Sequence, residues 1–221
     1  MIISKEKRRK KGVIYLTFDD GPSENVTPEI LKTLEKYKVP ATFFIVNYSK
    51  EKLPILKREL ENGCTIGIHG YSHDYSQIYK SVEDYMQNII KLDKKLKEDL
   101  AYDAFITRFP GGSSNRCSAE FCKGIMTRLV KAVQEAGYLY TDWNVDSLDA
   151  KGNGIPAKQI LKSVKLQCNP RGYNTILMHD ASTKMTSAEA LPEIIEWGLA
   201  NGYTFKAIDP HSVMVHRRVK N

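Results

Sequence analysis

Leu16-Thr17-Phe18-Asp19-Asp20-Gly21-Pro22 is the stretch around which the chain is organised. An apolar run from Val13 to Phe18 reads as a buried strand. It ends in two adjacent carboxylates, and a Gly-Pro pair then breaks the backbone. Adjacent acids at a strand end repel each other, and both are costly to bury unless a cation or a proton offsets their charge. A plain Asp-Gly turn is the competing reading, and the rest of the chain weighs against it.

Outward from this stretch, strands and helices alternate. Thr27-Pro28-Glu29 reads as a helix start with Thr27 as N-cap and Pro28 in the first turn. Val39 to Val46 is a second strand, followed by a helix over 50–61 that Asn62-Gly63 stops. Cys64 to Ile68 is a third strand ending at His69. Ser81 to Leu100 carries Val82, Tyr85, Met86, Ile89, Leu92 and Leu96 at three- and four-residue spacing, a helix whose stripe faces the core. Ala104 to Arg108 is a fourth strand, closed by Pro110-Gly111-Gly112. A single helix is expected over 118–136, a fifth strand over 138–143, and a helix from Ile155-Pro156 to Gln167. Thr175 to Met178 is a sixth strand ending at His179. Thr186-Ser187-Ala188-Glu189 reads as a capping box opening a helix to Asn201, and Thr204 to Ile208 is a seventh strand. This alternation predicts an α/β fold with a parallel sheet covered by helices. About seven units predict a closed or nearly closed (β/α) barrel, with a doubly wound open sheet as the alternative.

The chain has 221 residues, enough for one domain with a substantial core. The expected division is a basic N-terminal tail at 1–11, one catalytic domain at 12–210 and a basic C-terminal tail at 211–221. No apolar run approaches the length of a membrane span. The expected location is the cell envelope or the outside if an export segment or anchor precedes Met1, and the cytoplasm otherwise. The net charge of +7 is concentrated at the two ends and suits contact with an anionic wall polymer or membrane face. Without aromatic-basic interleaving, nucleic acid is not an expected partner. The four cysteines are too few for a disulfide framework, and free thiols are expected.

The unusual polar residues share one kind of position. Asp19 and Asp20 follow strand one, His69 and His73 strand three, Arg108 ends strand four, Asp146 and Asp149 follow strand five, and His179 and Asp180 strand six. In parallel α/β folds these are all carboxyl ends, where such folds place their sites. His69 and His73, four apart, would face the same way on one helical turn and share a metal. With one carboxylate of the Asp pair they suit zinc or a similar first-row divalent ion. The other carboxylate is then free to act as a general base on a water. His179 offers a proton for a leaving group. Arg108 precedes Phe109-Pro110, which forces an extended exit from the strand, and could orient a carboxylate. Gly111 and Gly112 allow a backbone N–H to approach a substrate oxygen closely.

Together these motifs resemble the polysaccharide deacetylase family, the NodB-homology domain of carbohydrate esterase family 4. The resemblance covers roughly residues 12–210 and rests on Thr17-Phe18-Asp19-Asp20-Gly21, His69-x-x-x-His73, Arg108-x-Pro110 and Leu177-x-His179 in this order. It implies a distorted, NodB-like barrel. It implies Asp19 as catalytic base, Asp20, His69 and His73 as ligands of zinc (or cobalt or manganese), and Arg108 as the group that orients the base. It implies Gly111 N–H as an oxyanion donor, His179 as general acid steadied by Asp149, and Leu177 in the wall of an acetyl pocket.

The chain departs from the family pattern in three places. Ala150 stands where Trp usually follows Asp149, and Trp143 is the candidate substitute in the pocket wall. Gly70 replaces the usual Ser or Thr after His69, and Gly111 the frequent Tyr after Pro110. The stretch from Phe109 to Ser114 resembles cell-wall deacetylases of Gram-positive bacteria. The implied activity is metal-dependent hydrolysis of N-acetyl groups on the amino sugars of a polymer, with the protein acting as a monomer. Peptidoglycan N-acetylglucosamine is the first expected substrate, ahead of chitin oligomers, N-acetylmuramic acid and O-acetyl esters. The competing class is a wall-binding protein without turnover, favoured by Ala150 and opposed by the complete set of Asp19, Arg108 and His179.

Overall fold

Strand β1, Val13–Asp19, sends alternate side chains to two different interiors. Ile14, Leu16 and Phe18 enter the main apolar cluster beneath the helices. On its other face Tyr15 joins Phe44, Ile106 and Ile208 in a small inner cluster, and the same face continues through Thr17 to Asp19. A strand covered on both faces needs the near-continuous apolar run seen here. The structure, a computed structural model, describes residues 11–220. The expected basic tail at 1–11 lies outside the described residues but for Lys11.

Helix α1 (Thr27–Tyr37) follows, then β2 (Thr42–Val46), a 3-10 turn (Lys50–Lys52), α2 (Leu53–Glu61), β3 (Thr65–Gly70), α3 (Tyr75–Ile78) and α4 (Val82–Leu100). The chain continues through β4 (Ile106–Thr107), α5 (Ser118–Phe121), α6 (Ile125–Glu135), β5 (Leu139–Tyr140) and β6 (Val145–Asp146). A 3-10 turn (Asp149–Lys151), α7 (Ala157–Gln167), β7 (Tyr173–His179), α8 (Met185–Ala200) and β8 (Thr204–Phe205) complete it. The strand order is β5-β4-β3-β2-β1-β7-β6, with β8 beside the start of β1, and each pairing is parallel. The seven strands of this path form a curled half-barrel, the distorted barrel expected from the sequence. All carboxyl ends therefore lie at one end of the sheet.

Three expectations change. The fifth strand, expected over 138–143, stops at Tyr140, and a separate strand forms at Val145–Asp146 on the opposite edge of the sheet. One stretch, 139–146, thus bridges the two sheet edges. The helix expected over 118–136 is broken where Cys122 is extended and Gly124 adopts a left-handed φ of 75°. Neither expected threonine cap forms. The Ser23 hydroxyl accepts from the N–H groups of Val26 and Thr27, leaving Thr27 to donate its hydroxyl to Asp180. Thr186, the expected N-cap of the capping box, lies inside the helix, which starts after Lys184 without a side-chain cap, and its neighbour Ser187 donates to Asp149. Thr27 is drawn away by a buried carboxylate, which accepts a stronger hydrogen bond than a helix end offers.

Helix α4 follows its sequence closely. The Ser81 side chain accepts from Asp84 N–H, Glu83 and Asp84 lie in the first turn, and Tyr85, Ile89, Leu92 and Leu96 face the core. The segment read as a basic C-terminal tail is seated on the barrel over its described part. Val215 exchanges hydrogen bonds with Thr141 and Asp142, Arg217 N–H donates to Asp142 Oδ2 at 2.8 Å, and the His216 ring stacks on Tyr140 at 4.1 Å. The four cysteines are free. Among the described residues no helix is long and apolar enough to cross a membrane.

Candidate active site

Arg108 lies fully buried just past β4. Its Nη1 donates to Asp19 Oδ1 at 2.8 Å and to Thr17 Oγ1 at 2.7 Å. Nε and Nη2 donate to the carbonyls of Thr141 and Asp142, and the guanidinium lies over the Phe44 ring at 4.1 Å. A guanidinium taken from water needs this many partners. Burial pulls its pKa below the ordinary value, and the Asp19 carboxylate works against that fall. Thr17 and Asp19 are two apart on β1 and so share a face. The sequence did not single out Thr17, although its place before the acid pair on that face was a usable signal.

Beside this pair stand Asp20, His69 and His73. Asp20 Oδ1 is 3.5 Å from His69 Nε2 and 3.6 Å from His73 Nε2. The three ligand atoms lie within 4.8 Å of one another. The histidines do not share a helical turn: His69 is on β3, and the chain turns at Gly70, φ 147°, to bring His73 back. Gly70 is required there, because a Cβ would sit 2.5 Å from Asn88 Nδ2.

This set fits a divalent metal ion on three counts. Asp20 Oδ1 is buried without a hydrogen-bond partner. The His69 Nδ1 faces the Arg108 carbonyl at 2.8 Å, which places the proton on Nδ1 and leaves the Nε2 lone pair toward Asp20. Partial burial, and then the neighbouring His69, pull the His73 pKa down toward the neutral form that binds metals. One carboxylate oxygen and two imidazole nitrogens make a set with open positions.

Asp19 pairs in register with His179 across β1 and β7. His179 Nδ1 lies 2.8 Å from Asp149 Oδ1, and Asp149 Oδ2 accepts from His179 N–H and the Ser187 hydroxyl. Burial alone would lower the His179 pKa. The Asp149 hydrogen bond and the charges of Asp149, Asp19 and Asp20 outweigh it and raise the group to about 9. Burial opposes ionisation of Asp149 too, yet its bonds to His179 and Ser187 leave it below the usual carboxylate value. Asp180 lies outside this group. It is fully buried under Gly21, accepts from Thr27, and burial raises its pKa to about 7. Asp146 is also apart, its carboxylate capping the turn at Leu148.

The Gly111-Gly112 turn faces the set from the β4 side. Both glycines have φ near 77°, with values of 75° and 79°, a region that suits glycine. Among the described residues no hydrogen bond engages the Gly111 N–H. Trp143 packs against Gly112, where a Cβ would meet its ring at 2.9 Å, and lies between Arg108 and Arg217. Leu177 is two residues before His179 on β7, on the face shared with Thr17 and Asp19, and is 5% exposed. Ala150 is exposed. A cleft of about 450 Å³ opens beside Asp20, between the Pro22–Asn25 loop, Lys52 and Ala181-Ser182.

A parallel half-barrel with a carboxylate–imidazole metal set, a buried Arg–Asp pair and an Asp–His pair at its carboxyl ends defines a metal-dependent hydrolase. A family model for polysaccharide deacetylases matches residues 6–138, and the chain belongs to that family. It is 33% identical over 210 residues to a peptidoglycan-N-acetylglucosamine deacetylase of Bacillus cereus, covering 92% of this chain and 72% of that one. A peptidoglycan-N-acetylglucosamine deacetylase of Listeria monocytogenes is 33% identical over 94% of this chain, which spans 40% of that protein's length. Among solved structures, the catalytic domain of a peptidoglycan N-acetylglucosamine deacetylase from Eubacterium rectale superposes with a TM-score of 0.89 at 42% identity, covering 95% of this chain and 94% of that one. A polysaccharide deacetylase from Bacillus cereus gives 0.79 at 32% identity, covering 92% and 95%.

Proposed function

We propose that the protein removes N-acetyl groups from N-acetylglucosamine residues of peptidoglycan, with zinc held by Asp20, His69 and His73. The observation that carries this reading is the pairing of Asp19 with His179 across adjacent strands, beside the Asp20–His69–His73 set. An acid and a base on two sides of one reacting carbon are what amide hydrolysis requires. The names of the Bacillus, Listeria and Eubacterium relatives favour peptidoglycan N-acetylglucosamine over chitin oligomers, N-acetylmuramic acid or O-acetyl esters.

When bound, zinc supplies Lewis acidity, making the attacking water more acidic and the acetyl carbonyl more electrophilic. Asp19 takes the proton from the attacking water. Arg108 holds Asp19 Oδ1, which fixes the carboxylate and leaves Oδ2 for that proton. The Gly111 N–H donates to the oxyanion as the carbonyl carbon becomes tetrahedral. His179, protonated through Asp149, gives its proton to the departing sugar amine, and acetate and a free amino group result. Leu177 and Trp143 enclose the acetyl methyl. The cleft beside Asp20 accommodates a flanking part of the polymer.

Acetate release from N-acetylglucosamine oligomers and from peptidoglycan tests this reading, with metal-stripped protein reloaded with zinc, cobalt or manganese. Release that depends on metal and vanishes in Asp19→Asn supports it. Binding of zinc and polymer without release under any metal would instead make the protein a wall-binding homologue.

A further inference from the structure

Tyr75, two residues past His73, is a side chain that the site described so far does not use. Its ring lies 5.4 Å from the His73 ring and meets Tyr79 edge-on at 5.3 Å. Tyr79 in turn donates its hydroxyl to the Pro110 carbonyl at 2.7 Å. The ring is therefore held from two sides, by the metal-set loop and by the turn that carries Gly111. A Cβ placed on Gly111 would lie 2.6 Å from the Tyr75 hydroxyl oxygen. The hydroxyl occupies the space that any side chain at 111 would need. The family pattern's frequent Tyr at 111 and a tyrosine at 75 in this pose exclude each other. The phenol oxygen has no hydrogen bond among the described residues and is not one of the buried unpartnered atoms, so it opens to solvent.

We propose that Tyr75 is a substrate-binding residue whose hydroxyl donates a hydrogen bond to an oxygen of the acetylated amino sugar, beside the Gly111 N–H. This rests on the deacetylase reading above. A substrate whose acetyl carbonyl lies between the metal set and Gly111 has to pass the phenol, which touches both. A rigid aromatic ring with one free hydroxyl suits a sugar, offering a flat apolar face and a single directed donor. The ring is locked by Tyr79 and His73, so little rotamer freedom is lost when the bond forms.

Tyr75→Phe keeps the ring and removes the donor. With zinc-loaded protein and N-acetylglucosamine oligomers, the expected result is a loss of roughly three- to tenfold in kcat/KM, the scale of one neutral hydrogen bond. Zinc affinity stays as in the parent protein. A second measurement isolates the contact: Gly111→Ala, made alone and in the Tyr75→Phe background. The backbone strain at 111 is the same in both, but the clash exists only where the hydroxyl is present, so Gly111→Ala costs more activity in the parent than in the Tyr75→Phe protein. Unchanged kcat and KM in Tyr75→Phe would overturn the proposal while leaving the deacetylase reading intact. If the parent protein releases no acetate, calorimetric titration with the oligomer decides. Weaker binding by Tyr75→Phe upholds the role of Tyr75 without turnover. Equal binding, or none by either protein, overturns it.

Discussion

Arg108 Nη1 lies 2.8 Å from Asp19 Oδ1, and neither side chain is more than 4% exposed. The pair ties the barrel interior to the reacting end: one partner sits over Phe44, the other at the tip of β1. Removing the cation strands a carboxylate in a buried site. Arg108→Ala should therefore lower stability by about 3–5 kcal/mol, read by urea denaturation. Asp19→Asn keeps an acceptor for Arg108, so it should fold normally while losing on the order of 10²–10⁴ in kcat. Equal stability losses in the two variants would show that the pair is not what holds Arg108 in place.

Metal should stabilise the folded chain only through the Asp20–His69–His73 set. A ligand that binds the native state alone adds about 2.7 kcal/mol at a hundredfold excess over its Kd. Thermal melts of stripped protein with and without zinc should show that gain in the parent and almost none in His69→Ala. Arg108 fixes His69 through its carbonyl, not its side chain, so zinc affinity should survive Arg108→Lys far better than it survives His69→Ala.

The Asp149–His179 pair makes stability depend on pH. The folded pKa of His179, about 9, lies above the ordinary value of 6.5. A group raised in the folded state contributes fully below its unfolded pKa and loses that contribution as pH rises through the folded one. A pKa change of one is worth about 1.4 kcal/mol, so stripped protein should lose on the order of 3 kcal/mol between pH 6.5 and 9. Asp149→Asn should flatten that stretch of the profile. The folded group keeps its proton until pH approaches 9, so kcat of the loaded enzyme should fall only as pH passes about 9.

Much of this architecture was legible because parallel strands covered on both faces must be continuously apolar and must end in a turn. Val13 to Phe18 followed by Asp19 and Asp20 showed both features. Positions of strand ends then located His69, Arg108 and His179 correctly. What failed were local rules overruled by buried charge. Thr27 has the pattern of a helix cap, yet its hydroxyl goes to the buried Asp180 carboxylate, and Thr186, read as the cap of the last helix, lies inside it after Lys184. The stretch from 138 to 143 has strand composition, but the Asp142 carboxylate accepts from Ser113 and Arg217 and pulls the chain out of the sheet. Tyr75 was illegible, because its meaning depends on its hydroxyl filling the space a side chain at 111 would take, which no spacing along the chain reveals.

Glu59 is a buried carboxyl group that burial keeps protonated. It sits on α2 with no exposure, neither carboxylate oxygen has a partner, and burial, then Asp180, raises its pKa well above the usual range. The native state thus keeps a proton that the unfolded chain releases above about pH 4.3. Stability falls as pH climbs beyond that value. Glu59→Met, similar in volume and apolar, should raise stability at pH 8 by about 1–3 kcal/mol and leave it nearly unchanged at pH 4. A destabilised Glu59→Met protein at pH 8 would mean that the carboxyl group has a partner in solution, such as a buried water.

The C-terminal segment should matter to turnover although it touches no metal ligand. Asp142 is fully buried and accepts from Ser113 N–H, the Ser113 hydroxyl and Arg217 N–H, while its carbonyl accepts from Arg108. Arg217 also donates to the Trp143 carbonyl at 3.0 Å and lies over the Trp143 ring at 4.2 Å. Through its carboxylate Asp142 thus links the segment to the turn bearing Gly111, and through its carbonyl to Arg108. Ending the chain after Ser212 removes one donor from Asp142 and uncovers Tyr140 and Trp143. A hydrogen bond to a charged group is worth about 1.5–3 kcal/mol, and the melting midpoint should fall accordingly. The turn at Gly111 and Gly112 then loses its support from Trp143, so kcat/KM should drop by roughly tenfold while zinc affinity stays level. Arg217→Ala, which keeps the backbone donor, should lose less stability than the truncation but a similar share of activity. If the shortened chain matched the full one in both melting and turnover, the segment would be only a surface covering, and the Asp142 link would carry no mechanical load.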